Sequence, residues 1–155
     1  MKQWIAALIA SLAVLAGAGF SGVSEVEGSR PIIAQASRTV WDGVYSEAQA
    51  ERGRLSYSQS CVACHRDDLK GDGTAPSLVG ESFAFLWGDM TVGELFTRIR
   101  AIMPPERPAS LPAQGYVDII AFILQKNAFP AGERELDTNS DALSQILITA
   151  GRQGL

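Results

Sequence analysis

The residues best placed to do chemistry together are two cysteines and a histidine that lie within five positions. Cys61 and Cys64 are three residues apart, and His65 follows directly. They are the only cysteines and the only histidine among the 155 residues. Thiols bind metals and form disulfides or other covalent bonds, and an imidazole binds metals or carries protons. The cluster therefore indicates covalent attachment of a group, a redox dithiol or a metal centre.

The sequence context favours one of these chemistries over the others. A thioredoxin-like dithiol requires a βαβ setting, which the pattern of helices and loops does not support. A closed zinc site requires four ligands, so it would have to borrow carboxylates. A disulfide between Cys61 and Cys64 would close a very short loop with little entropic gain. The Cys-x-x-Cys-His pattern favours covalent haem attachment, with both thiols bound to haem vinyl groups and His65 as an iron ligand.

A second iron ligand is expected among the methionines, because a thioether suits the other axial position of an electron-transfer haem. Met103 ends a predicted helix and precedes two prolines, whereas Met90 precedes a helix start without such support. We expect Met103 to be the distal ligand. Met90, or a distal position without a protein ligand, is the alternative.

Three helices are predicted to position these residues. The first spans 46–60, because Ser46 begins a capping-box pattern that good helix formers follow. The second spans 91–103, with a capping box at Thr91 and apolar residues at helical spacing before the two prolines stop it. The third, 113–126, is apolar nearly all round and is expected in the core.

The remaining segments carry weaker signals. Residues 66–88 are rich in Gly, Asp, Ser and Pro, which predicts a long irregular segment that a large cofactor would organise. From about 130 the sequence predicts a loosely structured tail with a marginal final helix around Leu143, Ile146 and Leu147. No alternation is long enough to predict a strand. The fold class is therefore all-α.

The N-terminus has the pattern of a secretory signal. Lys2 is followed by an uncharged apolar run from Ile5 to Phe20, which predicts an exported, periplasmic protein. Cleavage is expected after Ala36, with a site after Ala18 as the alternative, so that 1–36 is the signal peptide and 37–155 the mature domain. The run is shorter than the roughly 20 residues of a membrane-spanning helix, which disfavours an uncleaved membrane anchor but leaves it open.

The charges do not indicate nucleic acid as a partner. The chain has 13 basic and 17 acidic residues and a net charge of −4. The basic residues occur singly or in pairs rather than in a run that would neutralise a phosphate backbone. Arg98 and Arg100 are expected on a solvated helix face.

From Trp41 to about Gly132 the chain resembles the monohaem class I c-type cytochromes, especially the cytochrome subunits and domains of periplasmic, quinoprotein-type dehydrogenases. Beyond the Cys-x-x-Cys-His pattern, the motifs that carry this resemblance are Gly53-x-x-x-Tyr57-x-x-x-Cys61, Ala75-Pro76-x-Leu78-x-Gly80, Met103-Pro104 and Tyr116-x-Asp118-x-x-Ala121-Phe122.

The resemblance implies a cytochrome c fold, with three main helices and irregular loops around one covalently bound haem c. Gly53 and Tyr57 would contact Phe122 where the first and last helices cross. The Pro76 carbonyl would accept the ring N–H of His65. Apolar side chains are also expected to line the haem, although each could instead belong to the core: Leu78, Phe83, Phe85, Trp87, Leu95, Ile99 and Ile120.

The function expected from the resemblance is electron transfer by a carrier that is not itself an enzyme. Its partners would be redox proteins, namely a dehydrogenase as donor, an oxidase as acceptor, or both. Two alternatives stay open. One is an electron-accepting subunit of a dehydrogenase whose catalytic domain is a separate chain, and the other is a catalytic or ligand-sensing haem with an open distal site.

Overall fold

A computed structural model of the chain describes residues 38–151. The predicted signal peptide, its cleavage sites and any uncleaved anchor lie outside the described residues. Within them lie two very short strands and six helices, which are β1 (Arg38–Thr39), α1 (Glu47–Ser60), α2 (Val62–His65), α3 (Gly80–Trp87), α4 (Val92–Ile102), α5 (Ala113–Lys126), α6 (Ser140–Ser144) and β2 (Ile146–Leu147). The longest helices are α1, α4 and α5, so the prediction of an all-α fold with three main helices is confirmed.

The starts of α1 and α4 follow from their capping residues. Thr91 and Glu94 form a complete capping box, in which each side chain bonds the backbone N–H of the other. At α1, the Ser46 hydroxyl accepts from the Gln49 N–H at 3.0 Å. The Gln49 side chain does not return to Ser46, because it is buried and bonds both backbone groups of Leu136, at 2.8 and 3.1 Å. The Gln49 side chain, which the predicted capping box pairs with Ser46, thus holds the distant segment at Leu136 instead.

Helices α1 and α5 cross with their backbones in contact. A Cβ atom at Gly53 would lie 1.8 Å from the carbonyl oxygen of Asp118, so only glycine allows this approach. One turn further along, the rings of Tyr57 and Phe122 pack with their centroids 5.3 Å apart. The close crossing predicted at these residues is present.

Helix α5 is the centre of the core. Every residue from Tyr116 to Leu124 is buried, which confirms the expectation from its nearly continuous apolar sequence. Its polar member Asp118 is bonded by Arg52, with N···O distances of 3.1 and 3.2 Å, and by Gln114 at 2.7 Å. Among residues 38–151, no helix is both long and apolar enough to cross a membrane.

The prediction that 66–88 is irregular throughout is wrong for its last third, which forms α3. Its N-cap residue, Val79, has no capping side chain. The side chain of Asn127, just beyond α5, supplies the missing bonds by accepting from the Gly80 N–H at 3.0 Å and donating to the Leu78 carbonyl at 2.9 Å. Because the cap comes from a distant residue, the local sequence does not reveal this helix.

The tail from 130 differs from the expected loose segment. Leu136, Leu143, Ile146 and Ile148 are buried in the core. The final helix is α6, which Asn139 caps, and it ends before Ile146. Ile146 and Leu147 instead form β2, which pairs in parallel with β1. The tail is ordered by burial of its apolar residues and by pairing with the N-terminal strand.

The crossing of α1 and α5 gives a first prediction. Gly53→Ala would drive a methyl group into the backbone of Asp118, and we expect it to lower the free energy of unfolding by roughly 3 kcal/mol. Gly115→Ala is the matched control, since its Cβ would meet only ordinary contacts of 3.6 Å and longer and should stabilise α5 by up to about 1 kcal/mol. Denaturant unfolding followed by circular dichroism measures both; a Gly53→Ala protein as stable as wild type would contradict the contact.

Candidate functional site

The two cysteines and the histidine lie where α1 ends and α2 begins. Cys61 is the C-cap of α1 and the N-cap of α2. Its carbonyl accepts from the N–H of Cys64 at 3.3 Å and of His65 at 3.0 Å. Both cysteines are half-buried and free. The crossing of α1 with α5 therefore fixes the position of the whole motif.

His65 is held in one orientation by the backbone of a later loop. Its ring is buried, with 7% of the residue exposed, and its Nδ1 lies 3.0 Å from the carbonyl oxygen of Pro76. A carbonyl only accepts hydrogen bonds, so Nδ1 carries the proton. Nε2 then has its lone pair available for a metal, as in metal-ligating histidines whose other nitrogen bonds a carbonyl.

The loop after His65 folds back on itself to bring Pro76 to the ring. Leu69 is buried in the core, and its carbonyl accepts from the Leu78 N–H at 2.8 Å. Gly71 donates to the His65 carbonyl at 3.0 Å. Gly71 has φ +74°, and a Cβ there would lie 2.1 Å from the Ala75 carbonyl oxygen. The loop thus has backbone bonds of its own.

Asp72 organises the turn that leads to Pro76. One of its carboxylate oxygens accepts from the Thr74 hydroxyl at 2.6 Å and from the N–H groups of Thr74 and Ala75 at 3.1 and 3.2 Å. The Thr74 hydroxyl, followed by the two backbone donors, lowers the pKa of Asp72 to about 2. The ionised carboxylate is therefore the form that the folded turn favours.

Met103 is placed by α4 and α5. It is half-buried at the C-terminus of α4, where its N–H bonds the Ile99 carbonyl at 2.8 Å. Its own carbonyl accepts from the Tyr116 hydroxyl at 2.8 Å. Met90 lies in the turn between α3 and α4, and its carbonyl accepts from the Ile148 N–H at 2.8 Å. Of the two, Met103 is the one tied to α5.

The apolar residues expected around the cofactor fall into three groups. Phe83, Leu95 and Ile120 are buried members of the core. Leu78, Trp87 and Ile99 pack against the core but keep exposed surface, which suits the wall of a site. Phe85 is 89% exposed, so it packs on little of the protein. Arg98 and Arg100 are exposed on α4, as expected.

Two tyrosine hydroxyls beside the site were not foreseen from the sequence. Tyr57 donates to the carbonyl of Arg66, the residue after His65, at 2.7 Å, and Tyr116 donates to Met103. In the sequence, both tyrosines belong to motifs that carry the family resemblance, and only Tyr57 has an expected contact, with Phe122. The available signal was that the hydroxyl of a buried tyrosine requires a partner.

The rival chemistries for the cysteines are not supported. Burial, and then the neighbouring Cys64, raise the pKa of the Cys61 thiol to about 11, whereas redox-active dithiols lower it. Within residues 38–151, no three His, Cys, Asp or Glu side chains cluster so as to hold a metal ion by themselves. By contrast, a buried imidazole with one free nitrogen, two free thiols beside it and partly exposed apolar side chains suit a covalently bound haem.

Comparison with known proteins agrees with this fit. Residues 48–123, just under half of the chain, match the family model described as cytochrome c oxidase, cbb3-type, subunit III. The match begins in α1 and ends in α5, so it contains the Cys-x-x-Cys-His motif, Pro76 and Met103. The searches of curated proteins and of solved structures gave no match.

The described residues have the all-α fold of a cytochrome c domain. The match over residues 48–123 supports a domain of the monohaem class I type. Its cofactor is one covalently attached haem c.

Asp72 gives a prediction for the turn before Pro76. The folded-state pKa of Asp72 is lowered from 3.8 to about 2. Its contribution to stability is therefore complete above pH 3.8 and is lost as the pH falls towards 2. Asp72→Asn keeps an acceptor oxygen but does not titrate. We expect the free energy of unfolding to fall more steeply below pH 4 for the wild type than for Asp72→Asn, measured by urea unfolding across that range; equal slopes would contradict the assignment.

Proposed function

We propose that this protein is an exported electron carrier in which His65 and Met103 are the two axial ligands of a single haem c. The observation that carries the proposal is the hydrogen bond between His65 Nδ1 and the Pro76 carbonyl, at 3.0 Å. Because Nδ1 is engaged in this bond, the lone pair of Nε2 on this buried ring is available to bind a metal. When bound, the haem supplies an iron centre that takes up and releases one electron.

Cys61 and Cys64 would hold the cofactor covalently. Both thiols are free and lie four residues and one residue before His65. Thioether bonds from two such cysteines fix the group in one orientation relative to the imidazole. Pro76 acts on the ligand rather than on the iron, because its carbonyl fixes the tautomer and the ring orientation of His65. The motif and Pro76 together make the proximal side rigid.

Met103 would supply the distal thioether, which raises the reduction potential of the iron. Its support is its position at the end of α4 and the bond from Tyr116 to its carbonyl. The partly exposed side chains of Leu78, Trp87 and Ile99 would exclude water from the site, which also tunes the potential.

The partner would be an oxidoreductase. The family model carries the name of a subunit of an oxidase, and the sequence resembles cytochromes of quinoprotein-type dehydrogenases. Both likenesses support exchange of electrons with a larger enzyme, either as its subunit or as a carrier that visits it. For electron transfer of this kind, the domain needs only a bound haem whose ligands stay in place.

The ligand assignment makes a spectroscopic prediction. The exported wild type should keep its haem through denaturing extraction and show a low-spin spectrum with the weak sulfur-to-iron band. Met103→Leu should keep the haem attached, lose that band and have a lower potential, within the roughly 0.8 V range that axial ligands span. Absorption spectra and a redox titration measure these effects.

Met90→Leu is the matched control, because it removes the same thioether from a turn that has no bond to α5. It should leave the spectrum and the potential unchanged. If Met103→Leu has the wild-type spectrum, the distal ligand is misassigned. A high-spin wild type would instead favour a catalytic or ligand-sensing haem with an open distal site.

Export is tested by the site of maturation. Covalent attachment by a dedicated system outside the cytoplasm requires the unfolded chain to be exported first. We expect the full chain, produced with such a system, to be coloured, and a chain lacking residues 1–36, retained in the cytoplasm, to be colourless and poorly folded. Haem staining of denaturing gels on separated cell fractions measures the outcome. Holo-protein made without export would contradict the location.

A further inference from the structure

One buried hydroxyl joins both ends of the segment that carries Met103. Tyr116, in the first turn of α5, is 1% exposed. Its Oη donates to the Met103 carbonyl at 2.8 Å and accepts from the Leu111 N–H at 3.5 Å. Met103 and Leu111 stand at the two ends of the connection between α4 and α5. A single side chain of the core therefore holds the segment at its base.

The segment has few other attachments. Residues 105–110 are all exposed. The three prolines among 104–108 have no N–H to donate. The backbone bonds of 104–110 are two within the turn, Arg107 to Pro104 at 2.9 Å and Ser110 to Arg107 at 3.3 Å, and one from Ala109 to the Arg100 carbonyl at 3.0 Å. Pro104 is buried. The hydrogen bond that ties Met103 to a residue outside α4 comes from Tyr116, which is part of the core.

The Tyr116 ring is itself firmly placed. It packs edge-on against Phe96 of α4, with the ring centroids 6.5 Å apart, and so lies between the two helices that the segment connects. The hydroxyl is thus fixed relative to α4 and α5 whatever the exposed part of the segment does. Its bond restrains the backbone of Met103 directly.

We propose that Tyr116 is a positioning residue for Met103, and that its hydroxyl sets how readily the thioether leaves the iron and is replaced by an external ligand. This inference rests on the proposed function, in which Met103 is the distal ligand. Loss of the hydroxyl should favour the detached thioether by about fivefold, the factor that one typical net hydrogen bond sets at 25 °C. Tyr116 acts through the ligand and does not touch the iron.

The test is Tyr116→Phe in the haem-loaded exported protein, titrated with imidazole in the oxidised state and followed by absorption. The variant keeps the ring on Phe96 and removes only the hydroxyl. We expect imidazole to bind about fivefold more tightly than in the wild type, with the haem content unchanged. Tyr45→Phe is the matched control, since the buried Tyr45 hydroxyl donates to the Phe129 carbonyl at 2.6 Å. It should leave the affinity for imidazole unchanged.

Tyr116→Phe in a Met103→Ala background distinguishes an effect on the position of Met103 from a general loss of rigidity around the haem. If Tyr116 acts through Met103, Tyr116→Phe should have no further effect on imidazole affinity once the thioether is absent. An equal effect in both backgrounds, an equal effect of Tyr45→Phe, or no effect of Tyr116→Phe would overturn the proposal while leaving the ligand assignment intact. A wild type that binds imidazole as tightly as Met103→Ala would instead overturn the assignment itself, and the proposal with it.

Discussion

The contact between the backbones of α1 and α5 at Gly53 is the constraint on which the site depends. Helix α1 leads directly into Cys61, so the position of the cysteines and of His65 follows from where α1 crosses α5. Next to the crossing, Arg52 spans Asp118 of α5 and Glu135 of the tail, with N···O distances of 3.1 and 2.7 Å. Asp118 is buried, so its carboxylate depends on Arg52 and Gln114 for the hydrogen bonds that water would otherwise supply.

Helix α5 organises the rest of the domain through the few polar groups on or beside its apolar surface. Tyr116 near its start bonds the end of α4, Asp118 bonds α1, and Asn127 after its end caps α3. Each of these side chains is bonded to a different element. Apolar burial brings the helices together, and these directional bonds select one arrangement among those that burial alone would permit.

What the sequence predicts depends on how far apart the interacting residues lie along the chain. Helices α1 and α4 have their caps within three residues, so local patterns suffice to predict where they start. The bond between His65 and Pro76, 11 positions apart, was expected only from the family resemblance. Helix α3 was missed because its cap, Asn127, lies 47 positions from Gly80. The order of the tail was missed for the same reason, since β2 pairs with Arg38 and Thr39 at the other end of the domain. Gln49 fits a local capping box but bonds Leu136 instead, 87 positions away.

Two buried tyrosines, neither of whose hydrogen bonds was foreseen, anchor the backbone next to His65 and at Met103. Tyr57 on α1 bonds the carbonyl of Arg66, next to His65, and Tyr116 on α5 bonds the carbonyl of Met103. Burial raises the pKa of Tyr57 above its usual value, so its hydroxyl stays a donor. Because α1 and α5 are locked at Gly53, the two backbone segments that would carry the ligands are anchored to one rigid pair of helices. A site that only exchanges electrons benefits from this, since ligands held in place by the surrounding protein have little to rearrange between oxidation states.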